Sequence, residues 1–225
     1  MAAAANFRAV FDEGKVLITM RHPISLTGSF YFQNLKRDSI GVDSRWGVMP
    51  GRQPIETWLA DGGVLLNGLP MKRPLKTLLE YAETISIWTH LLGRDSVGVF
   101  VFEDMVEDQN SYVERICRFI GIDPEEGVRL TDSRHSHARW TLEQMARIEA
   151  IESSFWQSLR FRFSSRKQRQ GMVGRETGDL ARNAPTASAR IPDAYIALIE
   201  DMTREGNRWL ANEFSLDLER HGYPL

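Results

Sequence analysis

An arginine at the end of an apolar run and a serine eight residues later form the first pair in this chain that could hold an anion together. Arg21 follows Val16-Leu17-Ile18-Thr19-Met20, and Ser29 lies beyond Pro23. A guanidinium is a planar fork that donates two hydrogen bonds to one phosphate, and a nearby hydroxyl can add another. A second basic set comes late in the chain. Residues 160–169 hold Arg160, Arg162, Arg166, Lys167 and Arg169 with no acidic residue, and Gly171, Gly174 and Gly178 follow. A glycine-bearing basic loop can fold its backbone N–H groups and its charges round a phosphate. On composition alone a charged linker between helices fits this stretch nearly as well. Likewise, Arg21 alone also fits a strand-end arginine paired with a carboxylate.

The elements around Arg21 give it a position. Residues 6–14 read as the end of a helix or loop, with Gly14 as a stop. The run 16–20 is short and β-branched, which predicts a strand buried on both faces. Pro23 suits the first turn of a helix, which Leu26, Phe30 and Leu35 carry to about Lys36. In an open parallel sheet, ligands sit outside the carboxyl ends of the strands, and helix N-termini there favour anions. Residues 39–73 read as an irregular excursion, with Pro50, Pro54, Pro70 and six glycines. One short helix is expected there, near Ile55 to Ala60. Trp46 and Trp58 either line an acceptor site in this excursion or tuck the loop against the core.

Pro74 is expected to open a helix ending at Gly93. Val97–Phe102 forms a second buried strand ending in Glu103-Asp104. Ser111-x-x-Glu114 reads as a capping box for a helix stopped by Gly121 and Pro124. Thr141-x-x-Gln144 caps a further helix, and a long one spans about Pro192 to Phe214. Glu103 and Asp104 are expected to cap the next turn or pair with an arginine. Cys117 falls on an apolar stripe and reads as a buried thiol rather than a nucleophile. His135-x-His137 sits among arginines that oppose a cation, so a solvated loop is the better reading.

Arg21-x-Pro23 followed by Ser29-x-Tyr31 resembles the segment of sulfotransferases that grips the 3′-phosphate of 3′-phosphoadenosine 5′-phosphosulfate (PAPS). The family often carries a second arginine three residues after the proline, where this chain has Leu26. Phe102-Glu103-Asp104-Met105 and Arg118-Phe119-Ile120-Gly121 are similar to the family's aromatic-Glu-Asp-Leu and Phe-Leu-Gly runs. Arg169-Gln170-Gly171-Met172-Val173-Gly174 resembles the loop Arg-x-Gly-x-x-Gly that closes over the same phosphate. Asn207-Arg208-Trp209-Leu210 and Gly222-Tyr223-Pro224 look like the C-terminus of bacterial members. The resemblance implies that Arg21, Ser29, Arg169 and Gly171 bind the cofactor PAPS, without a metal. It further implies a single helix-rich α/β domain over 1–225, a P-loop NTPase-like parallel sheet with helices on both faces. The implied reaction moves a sulfuryl group to a hydroxyl or amine of a small-molecule or glycan acceptor.

The family's 5′-phosphosulfate loop has no counterpart here. Gly14-Lys15 precedes a strand where such a loop must follow one, and Val16 stands where Ser or Thr is needed. None of His22, His90, His135, His137 and His221 matches the family's catalytic base. The expectation is therefore a domain lacking its first strand or strands, either a fragment of a longer enzyme or a degenerate relative. The alternative function is a non-catalytic protein that binds PAPS or its desulfated product, adenosine 3′,5′-bisphosphate. A missing strand would expose a sheet edge that invites homo-oligomers. The net charge of −2 argues against general nucleic-acid binding. One cysteine, no membrane-length apolar run and no basic leader fit a cytoplasmic setting.

Overall fold

The computed structural model describes residues 7, 14–39, 54–60, 75–131, 143, 144, 146, 147, 150, 168 and 190–225. In chain order these form β1 (Val16–Met20), α1 (Pro23–Ser39), α2 (Ile55–Trp58), α3 (Leu75–Leu79), α4 (Tyr81–Leu92), β2 (Val97–Val101), α5 (Phe102–Glu107), α6 (Gln109–Ile120), α7 (Pro124–Leu130) and α8 (Asp193–Phe214). Short 3₁₀ turns at Arg94–Ser96 and Glu219–His221 complete the set. It is a helix-rich α/β arrangement with a small parallel sheet. The chain divides into two units, one of Met1–Thr27, Leu59–Arg134 and Pro192–Leu225, the other of Gly28–Trp58 and His135–Ile191.

The sheet belongs to the first unit. Its two strands pair in parallel, from Val16 opposite Val97 to Met20 opposite Val101. Every residue of β2 is buried, as its apolar run predicts. On one face Val97, Val99 and Val101 join Met20, Ile85, Leu210, Phe214, Leu218 and Tyr223 in the main core. On the other, Phe100 meets the rings of Tyr112 and Phe119 from α6, each with centroids 5.9 Å apart. Fully burying an aliphatic or aromatic side chain contributes about 1.5–3 kcal/mol, so this cluster is the unit's chief source of stability. The strand β1 departs from the expectation of burial on both faces. Its side chains alternate, and Leu17 is 39% exposed. Among the described residues β1 has β2 as its one strand partner, and on its inner face Val16 and Ile18 are half-buried while Met20 is fully buried.

Local signals explain most helix ends, with several differences from the sequence reading. The end of α6 is as read. Gly121 takes the left-handed conformation (φ 85°) that a side chain would strain, and its N–H returns to the Cys117 carbonyl. Its start is not a Ser111 capping box. Asp108 is the N-cap, accepting from the Ser111 N–H at 3.0 Å and the Ser111 hydroxyl at 2.8 Å. Pro124 opens α7 instead of merely ending α6, with Asp123 capping the Glu125 N–H at 3.0 Å. The helix expected to reach Gly93 without a break is interrupted at Glu80, whose ψ of 64° leaves the helical basin. Cys117 is 3% exposed, and any side chain at Gly127 would collide with its Sγ. α8 runs over nearly the predicted span.

In the second unit Trp58 packs against Tyr31 and Phe30, at centroid distances of 5.4 and 6.2 Å. That favours the loop-tucking role over acceptor binding. Trp46, His135, His137 and most of the helix expected after Thr141 lie outside the described residues. Among the described residues no helix is long and apolar enough to cross a membrane.

Candidate functional site

The carboxyl ends of both strands lie at one edge of the sheet. Met20 is in register with Val101, so Arg21 and Phe102 leave the sheet side by side. The Arg21 guanidinium lies over the Phe102 ring, 4.6 Å from its centroid. Such stacking covers one face of the cation, while its N–H groups point outward in the guanidinium's own plane. The segment Arg21-His22 then leads directly into the N-terminus of α1, whose unsatisfied backbone N–H groups favour negative charge.

A network of hydrogen bonds surrounds this turn. Glu103 accepts the His22 backbone N–H on Oε1 at 3.0 Å and the Tyr223 hydroxyl on Oε2 at 2.9 Å. The His22 ring donates from Nε2 to the Gly222 carbonyl at 3.0 Å and meets the Tyr223 ring edge-on, 5.1 Å between centroids. From α4, the Tyr81 phenol is buried beside the Arg21 backbone, and burial is the main reason that its pKa stands above the usual phenol value. Burial, followed by the charge of Glu103, raises the Tyr223 hydroxyl far above that value, so it remains a donor. Glu103 thus has a structural part, as the sequence suggests, although it opens α5 and does not end β2.

Asp104 faces a different set. It accepts from Arg115 at 2.7 Å, Arg220 at 3.0 Å and His221 Nε2 at 2.7 Å. Burial pushes its carboxyl upward, but the hydrogen bonds from Arg115 and His221 outweigh this and hold it below the ordinary range. Asp104, Glu107 and His221 place their ligand atoms within 4.8 Å of one another, a spacing compatible with a cation. Two guanidinium groups already donate to those carboxylates, however, and their charge opposes a metal.

Of the four site residues predicted, Arg21 stands at the sheet edge in the first unit, and Ser29 is half-buried on α1 in the second. Arg169 and Gly171 lie outside the described residues. The sequence reading missed Tyr81, Phe102 and Tyr223 as neighbours of Arg21. Phe102 and Tyr223 carried a signal, as parts of Phe102-Glu103-Asp104-Met105 and Gly222-Tyr223-Pro224. No family model matches the sequence, and searches of curated proteins and of solved structures gave no match either.

Proposed function

We propose that this chain is a sulfotransferase-type protein in which Arg21 grips the 3′-phosphate of PAPS. The observation that carries the reading is the placement of Arg21. It follows a strand of a parallel pair, precedes the first turn of a 17-residue helix, and is stacked on an aromatic ring. An anion there meets a flat donor fork and the positive end of a helix dipole. Glu103 does not disqualify the site, because both its oxygens are engaged by Tyr223 and His22. The resemblance adds Ser29, Arg169 and Gly171 to the same phosphate, and treats β1 and β2 as part of a P-loop-like sheet. PAPS supplies the sulfuryl group, and a hydroxyl or amine acceptor receives it by in-line displacement.

A specific observation favours a second reading, a binder of PAPS or its bisphosphate product without catalysis. Lys15 lies at the amino end of β1, the end opposite Arg21, where its Nζ donates to the Phe119 carbonyl and sits 5.1 Å from the Phe119 ring centroid. Gly14-Lys15 is therefore no substitute for a loop that stabilises a leaving 5′-phosphate.

Titration of the purified chain with adenosine 3′,5′-bisphosphate and with ATP tests the shared core of both readings. The bisphosphate is expected to bind more tightly, and Arg21→Ala is expected to weaken it by about tenfold or more, the scale of one charge-assisted fork. Equal affinity for the two nucleotides, or an Arg21→Ala variant that binds as tightly as wild type, would overturn the assignment. Transfer of labelled sulfate to sugars, phenols or amines separates the enzyme from the binder.

A further inference from the structure

We infer that Tyr223 is a positioning residue for Arg21, acting through Glu103 from the far end of the chain. This rests on the reading of Arg21 as the phosphate anchor. The turn Arg21-His22 has no regular secondary structure to hold it, yet α5 and the C-terminal turn both tie it down. Its His22 N–H goes to Glu103 Oε1 at 3.0 Å, and the His22 ring goes to the Gly222 carbonyl at 3.0 Å. Tyr223, 4% exposed and part of the main core, donates to the remaining Glu103 oxygen at 2.9 Å.

The physical consequence concerns direction. A carboxylate with one fixed oxygen can still rotate about its terminal torsion, and its other oxygen then has no set place. The Tyr223 hydroxyl removes that freedom, because its ring is locked in the core. Glu103 is thereby held as a fixed acceptor for the His22 N–H. With His22 fixed, the preceding Arg21 leaves the strand at one angle, over the Phe102 ring. Tyr223 does this as a neutral donor, without bringing a cation to the site. The binding energy of a bidentate contact depends on such alignment, since its strength falls steeply with angle.

The test measures binding of adenosine 3′,5′-bisphosphate and of adenosine 5′-monophosphate, which lacks the 3′-phosphate, to the whole chain. Wild type, Arg21→Ala and Tyr223→Phe are compared, with thermal unfolding followed in parallel. Tyr223→Phe removes one oxygen and keeps the buried ring. It is expected to weaken the bisphosphate by about three- to tenfold, as expected for one lost hydrogen bond, and to leave the monophosphate unchanged. Should Tyr223→Phe weaken both nucleotides equally, or neither while Arg21→Ala loses the bisphosphate, the positioning role is overturned and the Arg21 assignment stands. Should Arg21→Ala bind the bisphosphate like wild type, the assignment itself fails, and the positioning role fails with it. If Tyr223→Phe does not fold, Glu103→Gln provides the same comparison. It keeps the shape but leaves one of the two donors without its acceptor, and the same selective loss is expected.

Discussion

Asp104 shows how neighbours set the behaviour of a single carboxyl. Arg115 from α6 and Arg220 and His221 from the C-terminal turn converge on it, so the group joins parts of the chain more than a hundred residues apart. Its carboxyl titrates lower in the folded chain than in the unfolded one. The stabilisation is therefore fully present above the ordinary Asp value of about 3.9 and is lost as pH falls through the lower folded value. Both guanidinium partners are about half exposed, at 46% and 52%. Pairs of that kind contribute up to about 1 kcal/mol each, and less in salt. Asp104→Asn is expected to cost about 1 kcal/mol at neutral pH. The gap from wild type should shrink steadily toward pH 3, as read by urea unfolding at a series of pH values. The Arg21 and Tyr223 variants belong to the same scale, but their readout is nucleotide affinity rather than stability.

Among the elements, β2 and α6 pack closely. A Cβ on Gly98 would lie 2.7 Å from a Phe119 ring atom and 2.8 Å from a Phe100 ring atom, distances real Cβ atoms do not reach. Glycine is needed there for close approach, since the two rings close over the strand at that point. Gly98→Ala is expected to cost about 1–3 kcal/mol, the usual penalty of overpacking, measured as a lower denaturation midpoint. A variant as stable as wild type would mean that Phe119 can swing aside. The sequence made this strand legible through its β-branched run, and α6 through its stripe and Gly121. It did not reveal that Asp108, not Ser111, caps α6. Both are good capping residues, and choosing between them depends on where the chain leaves β2 and α5.

For the molecule as a whole, the C-terminal segment belongs to the core. Leu218 and Tyr223 lie in the same cluster as Met20 and Ile85, and Leu218 is fully buried. Leu218→Ala is expected to destabilise the chain by about 2–5 kcal/mol, the range for removing a buried leucine. Calorimetric or denaturant unfolding would show it, and a loss under about 1 kcal/mol would mean that this segment contributes little to the core. From α8, Asn207 Nδ2 donates to the Pro224 carbonyl at 3.0 Å and Arg204 to the Leu225 carbonyl at 3.2 Å. The end of the chain is therefore held against α8 by polar as well as apolar contacts.

The sequence by itself determined what depends on neighbours a few residues away. Both strands, the long α8, the Gly121 stop and the burial of Cys117 follow from hydrophobic period and end signals. It also singled out Arg21, since an arginine after an apolar strand and before a helix-opening proline is a local pattern. Only the tertiary structure decided which groups surround that arginine. Glu103 is 81 residues from His22 and 120 from Tyr223, and the alternating exposure of β1 depends on its partners in space. Hydrogen bonds and ring contacts over such separations leave no periodic trace in a sequence, because they arise only when the folded backbone brings distant segments to one edge of the sheet.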